Sequence, residues 1–140
     1  MLIAQELLDD VLAHAREEYD AECCGLLASA GGTEADDAEP ARVTRVHRAR
    51  NVFASRKRFE IDGKELLRAM SDFEDAGLEL GAIYHSHTHT APYPSQTDIN
   101  FAANWPGLEW VIVGLADGEL DVRCYVIEGA TVQEVALEVG

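Results

Sequence analysis

The chain has 140 residues, of which 47% are hydrophobic, and its formal net charge is −15. This length and composition predict one globular domain over residues 1–140 rather than a disordered chain. With 26 acidic and 11 basic residues, the chain is poorly suited to general nucleic-acid binding, which requires clustered cations. Its apolar runs are shorter than a membrane span and its N-terminus does not resemble a signal peptide, so we expect no membrane contact and a cytoplasmic location.

The cysteines and lysines add two expectations about the cellular setting. Cys23, Cys24 and Cys124 form no CxxC pair, and their odd number disfavours a disulfide framework, so we expect buried thiols. Lys57 and Lys64 are the only lysines in the chain. An acidic, lysine-poor surface favours a high-salt cytoplasm, in which salt screens the repulsion between like charges.

The first half of the chain predicts one helix, three strands and a loop. Apolar residues recur at helical spacing over 4–19, which predicts an amphipathic helix. The short apolar run at 24–30 predicts a buried strand, and the Gly-rich, acidic residues 31–41 predict an exposed loop. Two further strands are predicted at 43–49 and 58–62.

The second half predicts two helices and four strands. Apolar spacing over 63–76 predicts the second helix, and Ser95 is placed to cap a third helix that runs to about residue 105. Strands are predicted at 78–87, 108–115, 119–127 and 131–139, with a turn at 116–118. This order of elements predicts an α/β chain of the α+β type, with strand-rich ends.

The basic residues are concentrated in one segment, residues 42–58, which we call the basic segment. It carries seven of the eleven basic residues and no acidic residue. One interpretation is a solvent-facing surface of two strands whose charges block edge pairing. The other is a docking patch for an acidic partner.

A histidine-rich stretch, HSHTHTAPYPSQTD at 85–98, follows a predicted strand. Residues two apart on an extended strand project to the same side, so His85 and His87 direct two imidazoles toward one point. Two prolines then stiffen the return and favour a helix start. Asp98 lies in the first turn of that helix, where its carboxylate can face the histidines.

Two imidazoles and one carboxylate form a three-ligand set for zinc. A structural zinc usually has four protein ligands, whereas three leave a position for water, whose pKa zinc can lower to about 7. The alternative is that these histidines cap strands and bond to the backbone, but HxH followed by SxxD favours metal binding. His89 falls where the strand gives way to a turn, so we predict a loop residue or a group that supports the ligands, not a ligand.

Hydrolysis at such a site needs a carboxylate that carries protons between the water and the leaving amine. Glu22 is the best candidate, because it lies between the first helix and an apolar strand, where an acid has no packing role. Glu60 and Glu79 also lie in or beside predicted strands. The alternative for Glu22 is a solvated acid at a helix end.

Glu22, HSH and SQTD together resemble the JAMM metalloproteases of the MPN domain family. Their pattern is an early glutamate, H-[ST]-H, seven residues and SxxD, and residues 88–94 supply the seven-residue interval. The resemblance covers essentially the whole chain through ECCGLL, RARNVF, RFEID and LEWVIVGL. The chain looks most like the small stand-alone bacterial type, which includes the peptidase that releases cysteine from a sulfur carrier. It departs from RadC-type relatives, which usually carry HNHPSG where this chain has HSHTHT.

The resemblance implies a cytidine-deaminase-like JAMM/MPN domain with a curved, mixed β-sheet flanked by helices. It implies that His85, His87 and Asp98 hold zinc and that Glu22 is the general acid and base. It also implies that Ser95 donates a hydrogen bond to the oxyanion formed when water attacks a carbonyl. A plain helix cap is the alternative role for Ser95.

The substrate implied is an amide or isopeptide bond after the C-terminal glycine of a ubiquitin-like sulfur-carrier protein. Its Gly-Gly tail can thread a narrow groove as an added strand, and the basic segment, Arg42 to Arg58, would hold the carrier's body. One alternative is a non-catalytic MPN scaffold, although such members have typically lost motif residues that this chain retains. Another is a JAMM peptidase that acts on cell-wall or other peptides.

Overall fold

The computed structural model describes residues 1–30, 41–118 and 120–140, and within these ranges the chain forms three α-helices and eight β-strands. The helices are α1 (Gln5–Glu18), α2 (Gly63–Asp75) and α3 (Gln96–Ala102). The strands are β1 (Leu2–Ile3), β2 (Cys24–Ala30), β3 (Arg42–Ala49), β4 (Leu78–His87), β5 (Glu109–Gly114), β6 (Asp121–Glu128), β7 (Thr131–Val135) and β8 (Glu138–Val139). The loop predicted at 31–41 lies, apart from its last residue, outside the described residues.

All eight strands belong to one mixed sheet, in the order β7-β6-β5-β4-β2-β3-β1-β8. β1 pairs in parallel with β3 and β8, β4 pairs in parallel with β5, and the other neighbours are antiparallel. Helices cover both faces of this sheet, so the predicted α+β class is confirmed. Every helix in the described ranges is too short or too polar to cross a membrane.

The sheet is curved so strongly that its two edge strands approach each other. β7 ends at Val135 and β8 begins at Glu138, although these strands lie at opposite ends of the strand order. Three Cα–Cα steps span at most about 11 Å, so the two edges come at least this close at one corner. Register shifts between Leu27 and Ser29 mark bulges in β2, a feature that bends a sheet.

Alternate residues of the central strands face two separate hydrophobic clusters. Ile83, Trp110 and Ile112 face the side covered by α2 and α3, whereas Tyr84 and Val111 face the side covered by α1. The central strands are therefore buried on both faces, which explains their nearly continuous apolar sequence. The same alternation continues along β4 and directs residues 85 and 87 toward the α2 and α3 side. The three cysteines are buried free thiols, as predicted.

The strand predicted at 58–62 does not form. Only Ile61 makes an isolated bridge, to Asn51, and the preceding residues form a loop. Phe59 and Ile61 are nevertheless buried in the cluster beneath α2, while Glu60 between them is exposed. The alternating pattern therefore arose from packing on the core rather than from a ladder of strand hydrogen bonds.

The strand predicted at 131–139 is two strands on opposite edges of the sheet. The chain leaves β7 after Val135, and the backbone N–H of Glu138 then donates to Met1 O at 2.9 Å. β8 thus pairs with the N-terminal strand β1. β1 is too short for an alternating hydrophobic pattern to be recognised in the sequence. α3 ends at Ala102 instead of about residue 105, because Pro106 prevents the helix from continuing.

Gly25 lies directly beneath the ring of Tyr84, its register partner on β4. A Cβ atom built on Gly25 would overlap the Tyr84 ring. The ring cannot move away easily, because its hydroxyl is 2.7 Å from His14 Nδ1 and the side chain is fully buried. The close contact between β2 and the Tyr84 ring thus requires glycine at position 25.

We expect Gly25→Ala to lower the free energy of unfolding by about 3 kcal/mol, because the added methyl group overpacks a rigid site. Gly63→Ala is the matched control, since a Cβ at this first residue of α2 meets no neighbouring atom. The control should change stability by less than about 1 kcal/mol in the stabilising direction. Urea unfolding of both variants measures the difference, and equal stabilities would contradict the packing argument.

Candidate active site

The end of β4 brings two histidine side chains to one point. His85 and His87 project to the same face of the strand, and their Nε2 atoms are 3.1 Å apart. Both side chains are buried, at 0% and 4% exposure. The alternation expected of an extended strand thus produces the predicted pair.

Asp98 joins the two histidines from the first turn of α3. Its Oδ2 atom is 3.1 Å from the Nε2 atoms of both His85 and His87. The same oxygen accepts a hydrogen bond from Ser95 N at 2.9 Å, and Ser95 Oγ accepts one from Asp98 N at 3.1 Å. This reciprocal capping box fixes the first turn of α3, so the predicted cap at Ser95 is confirmed.

The three converging atoms have the chemistry of a metal-binding set. The Nδ1 atom of His87 lies 2.8 Å from Ala91 O, and a carbonyl only accepts, so Nδ1 carries the proton and Nε2 presents its lone pair. Zinc bonds of about 2.0–2.1 Å at tetrahedral angles separate ligand atoms by about 3.3 Å, close to the 3.1 Å separations here. The donor set therefore fits zinc.

The charge states of His85 and Asp98 suit the same purpose. Burial lowers the pKa of His85, which favours the neutral imidazole. Burial also acts to raise the pKa of Asp98, but the adjacent His85 and His87 and the Ser95 N–H outweigh it and hold the pKa well below its ordinary value. A neutral imidazole and an ionised carboxylate are the forms that bind a cation.

Phe59 covers the outer face of His85. The two rings are stacked, with centroids 4.5 Å apart and an interplanar angle of 27°. Within the described chain, the buried Nδ1 atom of His85 has no hydrogen-bond partner. Packing against Phe59 therefore orients this imidazole in place of the usual polar partner of a ligand histidine.

Glu22 lies beside His87 across the junction of β2 and β4. Cys24 pairs with His85 in the antiparallel register, so continuing the register by two residues places Glu22 opposite His87. Glu22 is 5% exposed, whereas the other candidate acids, Glu60 and Glu79, are exposed. Of the three carboxylates considered from the sequence, the structure brings only Glu22 into the site.

Burial raises the pKa of Glu22 to about 8, against the opposing charge of His87 and with a further contribution from Asp98. Glu22 and His87 line one cavity of about 410 Å³, together with Ser95 and with Arg56 of the basic segment. A carboxyl group whose pKa lies near neutrality can both accept and donate a proton there.

Ser86, the residue between the two histidines, was not singled out by the sequence. It projects to the opposite face of β4, and its Oγ accepts a hydrogen bond from Cys23 N at 2.8 Å. Ser86 N in turn donates to Cys23 O at 3.1 Å. These bonds fix the start of β2 against the end of β4, which sets the position of Glu22 relative to His87.

His89 is an exposed loop residue outside the converging set, as predicted. Its Nε2 atom is 2.6 Å from Asp20 Oδ1, and Asp20 Oδ2 is 3.6 Å from Arg56 Nη1. The contact between His89 and Asp20 connects the turn after β4 to the residues that lead into Glu22. His89 thus lines the same cavity without facing the metal-binding atoms.

The basic segment does not form one continuous surface. On β3, Arg48 contacts Asp10 and Glu17 of α1, whereas His47 packs edge-on against Phe73 of α2, on the other face of the sheet. Only the end of the segment reaches the cavity, where Arg56 and Lys57 contribute to the wall.

Comparison with known proteins places these features in a family. Residues 4–127 match the model of the prokaryotic homologs of the JAB domain. A CysO-cysteine peptidase of Mycobacterium tuberculosis is 32% identical over 136 residues, covering 96% of this chain and 88% of the relative. A desampylase of Haloferax volcanii is 36% identical over 115 residues, covering 79% of this chain and 77% of the relative.

Solved structures agree with this assignment. A protein from Desulfitobacterium hafniense superposes with a TM-score of 0.85 at 27% identity, covering 99% of this chain and 92% of its own. A JAB1/MPN domain protein from Archaeoglobus fulgidus shares the fold, with a TM-score of 0.65 at 21% identity over 99% of this chain and 98% of its own. The chain belongs to the family of prokaryotic homologues of the JAB domain, as the sequence resemblance indicated.

We expect Ser86→Ala to lower the free energy of unfolding by about 1–3 kcal/mol, because it leaves the buried Cys23 N–H without its partner. Ser71→Ala, at an exposed position of α2, is the matched control and should change stability by less than about 0.5 kcal/mol. Thermal and urea unfolding measure both. A Ser86→Ala protein as stable as the control would show that this hydrogen bond does not hold β2 to β4.

Proposed function

We propose that this protein is a zinc-dependent peptidase that hydrolyses the amide or isopeptide bond after the C-terminal glycine of a ubiquitin-like sulfur-carrier protein. The observation that carries the proposal is that a buried carboxyl group, Glu22, lines one cavity with His87, whose Nε2 atom converges with His85 Nε2 and Asp98 Oδ2. The relatives named CysO-cysteine peptidase and desampylase support a small protein conjugate as the substrate.

His85, His87 and Asp98 would hold the zinc ion, and three protein ligands leave a position for catalysis. Zinc in this place would supply Lewis-acid chemistry to the attacking water and the scissile carbonyl. The protein's own contribution is to orient the two imidazoles, through the Ala91 carbonyl and the Phe59 ring. Burial also favours the neutral form of His85, and the surroundings of Asp98 keep it ionised.

Glu22 is the proton carrier in this proposal. Its carboxylate takes a proton from the attacking water and then delivers that proton to the leaving nitrogen when the C–N bond breaks. A pKa raised by burial toward neutrality suits a group that must perform both transfers. Glu60 and Glu79, which are exposed, have no comparable environment.

Ser95 can combine its capping role with a catalytic one. Its Oγ uses a lone pair to accept the Asp98 N–H, which leaves the hydroxyl proton free to be donated. The serine is exposed on the cavity wall, where this proton can stabilise the oxyanion of the attacked carbonyl. The two roles proposed from the sequence are therefore compatible.

The substrate tail would reach the site through the cavity that Glu22 shares with Arg56 and Lys57. Glycine residues have no side chains, so a Gly-Gly tail fits a confined passage that a bulkier tail cannot enter. The two cations would face the carrier, and an acidic carrier would be attracted to them in an otherwise acidic protein.

The proposal is tested by mixing the zinc-loaded protein with a sulfur carrier bearing cysteine on its terminal glycine. Intact mass is followed with and without a zinc chelator. We expect loss of the cysteine residue in the untreated sample and none with the chelator. Failure of the zinc-loaded protein to release cysteine would reject this substrate, and isopeptide-linked conjugates of the same carrier would then distinguish a deconjugating enzyme from an inactive scaffold.

Glu22→Gln should lower kcat by at least about 100-fold while leaving zinc bound, because the amide cannot carry the proton. Glu79→Gln is the matched control, since Glu79 is exposed near the start of β4, and it should retain full activity. Turnover and zinc content are measured on the same samples. Retained turnover in Glu22→Gln would mean that another group carries the proton.

Asp98→Ala should lose stoichiometric zinc, because only the two imidazoles of the set remain. Metal analysis after dialysis, with Glu22→Gln as the zinc-retaining reference, measures the effect. Circular dichroism is used to check that the variant is folded. Full zinc occupancy in folded Asp98→Ala would contradict the ligand set.

Replacing Arg56 and Lys57 together by Gln should raise KM for a full-length carrier about tenfold at low salt and less at high salt. The control is the double replacement of Lys64 and Arg68 by Gln, which makes the same charge change on α2, outside the cavity. Steady-state kinetics at two salt concentrations compare them. Equal KM values for the two double variants would exclude docking at Arg56 and Lys57.

A further inference from the structure

The side-chain amide of Asn51 is fully used in hydrogen bonds to the backbone. Its Nδ2 donates to Glu22 O at 3.0 Å and to Arg58 O at 3.1 Å. Its Oδ1 accepts from Phe53 N at 3.1 Å and from Glu60 N at 3.2 Å. The two carbonyls can only accept and the two N–H groups can only donate, so the orientation of the amide is determined.

Asn51 closes the base of a loop that forms one wall of the catalytic cavity. Residues 51 and 61 form a bridge, and Val52 N donates to Glu60 O at 2.9 Å. Within the loop, Ala54 has a φ of 47°, a left-handed conformation that costs a non-glycine residue about 1 kcal/mol or more. Its N–H donates to Asn51 O at 3.1 Å, so hydrogen bonds around Asn51 maintain this conformation.

The same loop holds the backbone of Glu22 on both sides. Glu22 N donates to Ser55 O at 2.7 Å, and Glu22 O accepts from Asn51 Nδ2. Glu22 lies between the end of α1 and the start of β2, where the Cys23 N–H bond to Ser86 Oγ ties the peptide group that follows it to β4. Its position in the cavity therefore depends on the loop, through Asn51 and Ser55, as well as on β4, through Ser86.

We propose that Asn51 is a positioning residue that holds the Glu22 backbone so that its carboxyl group faces the metal-binding atoms. This inference rests on the proposed function of Glu22 as proton carrier. The site needs two donors and two acceptors on one short planar group, which asparagine supplies and aspartate, serine or alanine does not. Glutamine carries the same amide on a side chain one carbon longer.

Two variants distinguish the role of the donating Nδ2 group of Asn51 from that of its accepting Oδ1 atom. Asn51→Asp keeps an oxygen for the N–H groups of Phe53 and Glu60 but loses the donors to Glu22 O and Arg58 O. The base of the loop then stays closed while the bond to Glu22 O is lost, which leaves the bond from Glu22 N to Ser55 O as the remaining tie of Glu22 to the loop. Asn51→Ala loses both halves and opens the loop as well. Asn104→Asp, at an exposed position after α3, makes the same chemical change elsewhere and is the control.

We expect Asn51→Asp to lower kcat about 100-fold, the effect of displacing a catalytic group by about 1 Å, with KM changed less than threefold. Zinc affinity should be unchanged, because the ligands lie on other segments. Asn51→Ala should lower kcat similarly and also raise KM, since the loop carries Arg56 and Lys57. Asn104→Asp should match the unchanged protein in every measurement.

Amide hydrogen exchange gives a measurement that does not depend on turnover. In Asn51→Asp a carboxylate faces Glu22 O and repels it, so Glu22 should shift and weaken the bond from its N–H to Ser55 O. The Glu22 N–H should then exchange at least tenfold faster, while the N–H groups of Phe53 and Glu60 keep their protection. In Asn51→Ala all three should exchange faster. A merely structural role for Asn51 would speed the three amides together in both variants and leave kcat per folded molecule unchanged.

The two proposals fail in different ways. If the unchanged protein cleaves no carrier conjugate, the proposed function is rejected, and the exchange of the Glu22 amide still decides whether Asn51 holds it. If the unchanged protein is active and Asn51→Asp keeps kcat within threefold, the positioning role is overturned. Unaltered Glu22 exchange in Asn51→Asp overturns it as well.

Discussion

The site depends on one buried negative charge, the carboxylate of Asp98. Removing an ionised carboxylate from water costs several kcal/mol unless nearby groups compensate it. Here two imidazoles and the Ser95 N–H all meet a single oxygen of Asp98. The charge therefore ties the end of β4 to the start of α3, and the local dipole of the helix N-terminus acts in the same sense. The converging arrangement puts this charge beside two imidazole nitrogens, where a bound cation would compensate it.

Glu22 also has a buried carboxyl group, but its pKa is raised, whereas that of Asp98 is lowered. Glu22 and Asp98 are equally buried, at 5% exposure each, but Glu22 has less compensation and its pKa rises to about 8. Two carboxyl groups in one site are thus driven apart in acidity, so that one remains ionised and the other exchanges a proton. The proposed division of labour between metal ligand and proton carrier follows from the surroundings of the two carboxyl groups, since the groups themselves are chemically alike.

The sequence predicts the parts of this site that follow local rules. Alternation on a strand and the first turn of a helix are sufficient to bring His85, His87 and Asp98 together. Glu22 could be chosen over Glu60 and Glu79 only by family resemblance, because its burial depends on the register between β2 and β4. Ser86 and Phe59 escaped notice for the same reason: their partners are distant in sequence. The false strand at 58–62 shows the converse error, since burial alone can imitate the strand period.

The candidate metal-binding half of the site occupies one continuous run, residues 85–98, which also supplies part of the cavity wall. The rest of the wall comes from Glu22 and from the loop that carries Arg56 and Lys57. Loops tolerate insertion and replacement far better than the elements that they connect. Selection could therefore reshape the loop that carries Arg56 and Lys57, and with it the proposed choice of conjugate, while residues 85–98 are inherited intact. The two parts of the site can thus evolve at different rates within one small chain. A lineage could change what the enzyme acts on many times without having to reinvent the reaction.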